Sequence, residues 1–219
     1  MKPDYETAAI KATEILIRYG INSAPISPLP ILKKTPGVFL VSFEEMSKLS
    51  GLDRKLLIST CAECNQDAVT TVLVDDEKLR YIVAYNQKLP QVVVQRSLAR
   101  EMGHIVLGHD GTKPEDVRTD EAIAFANYLL APRALIHAVQ ASGIRLTMEV
   151  LGNLTGCYDH CLSCIRKLPA VHVPAELNRI VRDNFMDYIV NFFEYQRIVM
   201  HSDGSAVADL GRYMDGYEE

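Results

Sequence analysis

The stretch Leu98–His109, "LAREMGHIVLGH", decides how the rest of this sequence is interpreted. It ends a segment that reads as one long helix, with Pro90 at its first turn and Gly108 at its end. Glu101 and His104 stand three residues apart, so they are neighbours on the helix surface. The apolar residues of the segment recur at helical spacing and predict one buried face: Val93, Val94, Leu98, Met102, Ile105 and Val106.

Glu101 and His104 also fit part of a zinc-hydrolase pattern. In His-Glu-x-x-His, two imidazoles at i and i+4 share a metal, and the Glu acts as general base on the metal-bound water. Here Arg100 stands at the first His position. Arginine has no lone pair to give and stays protonated, so it cannot bind zinc. Taken alone, Glu-x-x-His is a common feature of amphipathic helices, and a core histidine beside a solvated Glu is the simpler interpretation.

A second segment changes that interpretation. "DEAIAFANYLLAP" (120–132) predicts another helix over 119–131. Together the two segments resemble the ImmA/IrrE family of metallopeptidases, in which a helix reading roughly "HELGHxxLxH" is followed by one reading roughly "ExEANxFAxxLLxP". The resemblance covers about residues 5–167. The matching residues are Glu101, Gly103, His104, Leu107, His109, Glu121, Ala122, Phe125, Ala126, Leu129, Leu130 and Pro132.

The resemblance implies an α+β fold: a zincin-like core with a small antiparallel sheet and the motif helix, followed by a helical C-terminal region. We expect the core over 1–131 and the helical region, packed on it, over 132–219. Local patterns predict further elements: a helix over 4–19, a strand at "VFLVS", a helix capped by Ser42 and Glu45, and a hairpin over 68–85. "APISPLPILKKTPG" predicts a short strand or turn, and "DGTKPEDVRT" a loop.

The C-terminal region predicts helices at roughly 132–141, 147–154, 158–167 and 174–200. The last of these has an apolar face that needs a partner. That face either folds back on the core, which we favour, or forms a homodimer. It carries Ile180, Val181, Phe185, Met186, Ile189, Phe192 and Phe193.

The resemblance also implies a zinc site with three protein ligands, and two of the positions depart from the family's pattern. The first ligand position holds Arg100, and the third, three residues before Ala122, holds Thr119, a poor zinc ligand. What remains is Glu101 at the position of the catalytic base and His104 at that of a metal ligand.

Replacement ligands are conceivable on the second helix and beyond the first. Glu121 or Asp120 could substitute if the register shifts, and the predicted metal ligands are then His104 with Glu121. His109 could join them only if the helix ends at Gly108; a surface histidine at a helix C-terminus is the preferred interpretation.

Arg100 suggests that an ion pair replaces the metal at this site. Its permanent charge would lie near the place of the zinc charge, and it could pair with Glu121 or with Glu101. We therefore expect a structural relic held by an ion pair.

Three functions follow. ImmA/IrrE proteins are associated with mobile elements and with cleaving or otherwise relieving a helix-turn-helix repressor, so a degenerate member would bind such a regulatory protein without cleaving it. The alternative is an active zinc-dependent endopeptidase with a rebuilt metal site. The third is a scaffold in which cysteines bind zinc for structure only.

The cysteines leave two interpretations open. Cys61 and Cys64 form a C-x-x-C pair, while the other three fall on one helical stripe: Cys157, Cys161 and Cys164. Burial as small apolar residues is favoured over a zinc or redox role.

Composition excludes several function classes. The net charge of −5 and the lack of a basic stripe argue against direct nucleic-acid binding. The sequence contains no run of 18 apolar residues, so no membrane span is predicted. Acidic residues interrupt the N-terminal segment where a signal peptide would be apolar, so no signal peptide is predicted. A cytoplasmic location is expected, where disulfides are rare.

Overall fold

The computed structural model describes residues 1–51, 53, 55–56, 59, 67–75, 78–156 and 169–202. Its helices and strands give an α+β architecture, as predicted. In chain order they are α1 (Tyr5–Arg18), α2 (Pro28–Lys34), β1 (Val38–Ser42), α3 (Phe43–Ser50), β2 (Ala68–Asp75), β3 (Lys78–Tyr85), α4 (Gln91–Val106), α5 (Glu115–Leu130), α6 (Arg133–Ala141), α7 (Met148–Thr155), α8 (Ala175–Asn184) and α9 (Met186–Ser202).

The sheet has three strands in the order β1-β3-β2. β2 and β3 form the predicted antiparallel hairpin, with Asp75 opposite Lys78. β1 lies parallel to β3 on the other side, with Val38 opposite Tyr81. The sheet is therefore mixed, and the expected antiparallel pairing holds for the hairpin only. A parallel neighbour requires a crossover connection, so the chain from β1 to β3 crosses over rather than forming a tight hairpin.

Two segments near the prolines differ from the sequence prediction. "PLPILKK" forms α2 where a strand or turn was expected. Its prolines lie in the first turn, where a missing N–H costs no hydrogen bond, and Ile31 and Leu32 are buried. α5 likewise begins at Glu115 inside the predicted loop, directly after Pro114. The prolines that we took as breakers start helices here.

The helix α4 lies against β2, β3 and α5, and Gly103 sets its distance from α5. A Cβ at Gly103 would lie 3.1 Å from the backbone Cα and O of Ala122 and 3.1 Å from the Phe125 ring. Such contacts are tighter than most Cβ atoms make, so any side chain at this position would require α5 to shift by a few tenths of an ångström. The half of α4 that carries Glu101 and His104 therefore packs against α5 at Ala122 and Phe125.

The C-terminal helices fold back on the core. The predicted single helix over 174–200 is two, α8 and α9, which meet at Phe185. Most of the apolar face joins the main core cluster: Val181, Phe185, Ile189, Phe192 and Phe193. Met186, in contrast, is 44% exposed. Most of this face is thus buried within the chain, and a homodimer stays a prediction.

One hydrophobic cluster joins the predicted core and the helical region. It includes Leu16 of α1, Leu98 of α4 and Leu129 of α5 together with Leu154 of α7 and Phe185. The domain boundary at 131/132 stays a prediction. Among the described residues, one stretch, Glu115–Ala141, is long and apolar enough to cross a membrane by length and composition, and 67% of its 18-residue apolar window is buried inside the protein.

Several expectations lie outside the described residues. These are the predicted helix over 158–167 and the zinc or core role of the five cysteines, Cys61, Cys64, Cys157, Cys161 and Cys164.

Candidate functional site

The C-terminus of α4 brings two histidines together. Gly108 adopts a left-handed φ of +64°, and the backbone turns back there. The Gly108 N–H donates to the Ile105 carbonyl at 3.2 Å, and the His109 N–H donates to the His104 carbonyl at 3.0 Å. This is the Schellman pattern of helix capping, in which the residues at the positions of His104 and His109 usually make an apolar contact. Here the contact is made by imidazoles.

The His109 side chain is 1% exposed, so the preferred interpretation of a surface histidine is wrong. Its Nδ1 lies 2.8 Å from Nδ1 of His104, and its Nε2 lies 3.0 Å from Oε2 of Glu121. The sequence argument placed His109 far around the helix, which holds only while the helix continues. Because α4 ends at Val106, His109 is free to contact His104.

The carboxylate of Glu121 fixes the direction of these hydrogen bonds. It is 2% exposed and bound by three groups: His109, the Lys113 ammonium at 2.9 and 2.8 Å, and the Asp4 N–H at 2.9 Å. Burial alone would raise the pKa of Glu121, but hydrogen bonds from Lys113, Asp4 and His109 outweigh it, and the pKa lies below its usual value. An ionised carboxylate only accepts hydrogen bonds.

A donor and acceptor count then assigns the tautomers of the two neutral histidines. His109 Nε2–H donates to Glu121, which leaves His109 Nδ1 as an acceptor for the Nδ1–H of His104. The remaining nitrogen of His104, Nε2, keeps its lone pair. Burial, followed by the repulsion that a protonated His104 would meet from His109, Arg100 and Arg118, lowers the pKa of His104 to about 4, and burial lowers the pKa of His109 as well.

On the sheet side of α4, Arg100 pairs with Glu101. The guanidinium donates from Nε at 3.2 Å and from Nη2 at 3.0 Å to the same oxygen, Oε1, and Nη2 also reaches the Ala68 carbonyl at 3.4 Å. The other oxygen of Glu101 accepts the Thr70 hydroxyl at 2.8 Å. Burial raises the pKa of Glu101, while Arg100 and Thr70 oppose the rise. The expected ion pair is therefore formed with Glu101 and not with Glu121.

The third ligand position lies on another face of α5. Thr119 is half-buried and Asp120 is exposed, whereas Glu121 is buried. Thr119 shares a helical stripe with Ile123 and Ala126, which turn toward α4 at a cavity that Arg100 also lines. Among the described residues, His109 connects the two predicted metal ligands, His104 and Glu121.

The residues present do not fit a zinc ion of the family's kind. Arg100 brings a cation to the first ligand position, Thr119 brings no strong ligand to the third, and Lys113 already supplies a cation to Glu121. Within the ranges described, no group of three or more His, Cys, Asp or Glu side chains could hold a metal ion.

Sequence reasoning missed three partners in this site. Lys113 reaches Glu121 from the loop before α5, and Asp4 reaches it from the N-terminal end of the chain. No local sequence pattern predicts either contact. Thr70 was findable: it lies two residues after the buried Ala68, so alternation along β2 turns both toward α4.

Residues 60–152 match a family described as Peptidase M78, the IrrE N-terminal-like domain. The match contains the whole of α4 and α5 and so includes every histidine, carboxylate and basic residue of the site except Asp4. No curated protein matches the chain. No solved structure matches it.

The buried ion pair makes a prediction about stability. Arg100→Gln leaves Glu101 buried without its cation and should lower the free energy of unfolding by about 3 kcal/mol at neutral pH, the lower end for such a loss. The deficit should shrink at about pH 5, because a protonated Glu101 needs no cation. Urea unfolding followed by circular dichroism measures both values.

Two controls accompany Arg100→Gln. The double variant Arg100→Gln, Glu101→Gln should recover most of the lost stability, and Arg145→Gln, at an exposed arginine, should change little. A deficit that is equal at both pH values, or that persists in the double variant, would contradict a stabilising Arg100–Glu101 pair.

The two histidines predict how stability depends on pH. Folded His104 stays neutral down to about pH 4, whereas the unfolded chain protonates this group near pH 6.5. The unfolded state therefore binds more protons between these values, so stability falls as the pH falls through this window. Thermal unfolding of wild type and His104→Gln between pH 7 and 4 should give a flatter profile for the variant. Identical profiles would show that His104 is not a buried neutral group.

Proposed function

We propose that this chain, which belongs to the ImmA/IrrE family, is a degenerate metallopeptidase homologue that binds a regulatory protein partner, such as a helix-turn-helix repressor, without cleaving it. The observation that carries the proposal is the Arg100–Glu101 ion pair. In the family's pattern the first of these positions is a metal ligand and the second is the general base. Here the two neutralise one another.

The pair removes two functions at once. A guanidinium cannot bind zinc, and a carboxylate that accepts hydrogen bonds from Arg100 and Thr70 is not available to take a proton from water. Glu121 is likewise satisfied, by Lys113 and His109. Both carboxylates that a metal centre could use are thus held by the protein's own cations and hydrogen-bond donors.

His104 supports the interpretation of a retired site rather than a chance resemblance. Histidines that bind metals almost always donate their second ring N–H to another group, which fixes the ring and its tautomer. His104 does this through His109 and leaves Nε2 with its lone pair. One ligand and its support have been kept, while the residues at the other two ligand positions differ.

The partner follows from the family's association with mobile elements and repressors. A protein that has lost cleavage can still compete for such a repressor through the former substrate cleft. The acidic net charge of −5 supports a protein partner over direct contact with nucleic acid. We place this activity in the cytoplasm, where such regulators work.

One observation favours the alternative, an active zinc-dependent endopeptidase with a rebuilt site. His104, His109 and Glu121 form a continuous hydrogen-bonded row with separations of 2.8 and 3.0 Å. Rotation of the His109 ring and displacement of Lys113 would be needed before these groups could converge on one ion. A structural zinc on the cysteines is the third possibility.

Metal content separates the three possibilities. Protein purified without chelator should contain far less than one zinc per chain by mass spectrometry, because the site lacks two ligands. One zinc that is lost in His104→Ala would support the rebuilt site, and one lost in Cys161→Ala but kept in His104→Ala would support a structural zinc. Cleavage of a repressor partner that a chelator abolishes would overturn the proposal.

Restoring the two ligand positions should restore zinc affinity. The variant Arg100→His, Thr119→Glu re-creates both missing ligands beside His104, whose tautomer already suits a metal. We expect it to bind about one zinc per chain, measured by calorimetry with zinc chloride. The matched control Arg100→Gln, Thr119→Gln removes the same residues without adding ligands and should bind none. No zinc uptake by the first variant would show that Thr119 does not occupy the third ligand position.

A further inference from the structure

A cavity lies beside Arg100, between the N-terminal half of α4, α5 and the start of β2. Its volume is about 250 Å³, enough for one side chain of a bound peptide. The lining residues of α4 recur at helical spacing, so they form one face of the helix. The cavity is lined by Asp67, Val92, Val93, Arg96, Ser97, Arg100, Ile123 and Ala126.

Two hydrogen-bond donors on its polar side, Nη1 of Arg100 and the Ser97 hydroxyl, have no partner among the described residues. Arg100 is held in place through Nε and Nη2, while Nη1 donates to none of the residues described. The Ser97 hydroxyl makes no hydrogen bond with any described residue, although Ser97 is only 9% exposed. Arg96, one helical turn before Arg100, adds a second positive charge.

The rest of the lining decides which anion fits. Val92, Val93, Ile123 and Ala126 form an apolar wall suited to methylene or methyl groups. Asp67 lies at the cavity and Glu101 lies behind Arg100, so the two arginines face two carboxylates. A second negative charge on the ligand would be repelled. The lining therefore favours a monoanion with an aliphatic stem over a phosphate dianion.

We propose that this cavity binds a carboxylate of the partner protein, with the oxygens on Arg100, Arg96 and Ser97 and the aliphatic stem on the apolar wall. The inference rests on the proposed function and specifies the chemistry that the former cleft recognises. Arg100 thereby has two roles: it neutralises Glu101, and its remaining N–H groups bind the partner. Because Glu101 and the Ala68 carbonyl hold the guanidinium, little freedom is lost on binding.

The test is a titration of the ¹⁵N-labelled full chain with small peptides, followed by NMR. The probes are N-acetyl-Leu-Glu-amide, with its isostere N-acetyl-Leu-Gln-amide, and N-acetyl-Leu-Leu as the free acid and as the amide. We expect saturable shifts at the lining residues with an acid, and at least about tenfold weaker binding of its amide. If the Glu and Gln peptides differ in affinity, a side-chain carboxylate is recognised; if the Leu-Leu acid and amide differ, a C-terminal carboxylate is recognised.

Variants that leave the Arg100–Glu101 pair in place keep the test independent of folding. Arg96→Gln and Ser97→Ala should each weaken binding of the acid by about three- to tenfold, as expected for loss of a charge-assisted hydrogen bond. Arg145→Gln, at an exposed arginine outside the cavity, should not change it.

Three results would overturn the inference: equal binding of acids and amides, shifts outside the cavity lining, or inorganic phosphate binding as tightly as the acids. Each of these leaves the proposed loss of cleavage untouched. Zinc-dependent cleavage of a repressor partner would instead remove the proposed function on which the inference rests.

Discussion

The ion pair between Arg100 and Glu101 is the interaction on which the rest of the site depends. Glu101 is 4% exposed, and burial of an unpaired carboxylate is costly. A metal ion would supply compensating positive charge at such a place. Here the Arg100 guanidinium supplies it, and three hydrogen bonds to Glu101 and the Ala68 carbonyl hold that group in position. The charge of an arginine is permanent, so the local fold needs neither metal nor a particular pH to keep Glu101 compensated.

Two glycines make this arrangement geometrically possible. Gly103 lets the backbone of α5 approach α4 so closely that any side chain would meet Ala122 and Phe125. Gly108 ends α4 in a left-handed turn, which returns His109 to His104 and lets it reach Glu121. Gly103 sets the separation of α4 and α5, and Gly108 sets the direction of the chain after α4.

The parts of the fold set by local pattern were predictable. α1, β1, α3, the hairpin, α4 and α5 have regular apolar spacing or a capping box, and the helix pair was identifiable by its motifs. The failures share one cause: where prolines and glycines occur, a sequence pattern shows a boundary but not its geometry. Pro28 is the first residue of a helix, Pro114 directly precedes one, and Gly108 redirects His109, because tertiary packing decides which of several allowed conformations is used.

The site was predictable in its residues and less so in its pairings. Arg100 was expected to meet Glu101 or Glu121; it pairs with Glu101, while Glu121 is bound by the long-range contacts from Lys113 and Asp4, which no local pattern predicts. The pairing with Glu101 also fixes where the guanidinium lies. Arg100 is held at the sheet side of α4, and from there it lines the cavity between α4 and α5. The contacts that hold the Arg100 guanidinium against Glu101 are thus the same contacts that present a fixed positive charge to this cavity.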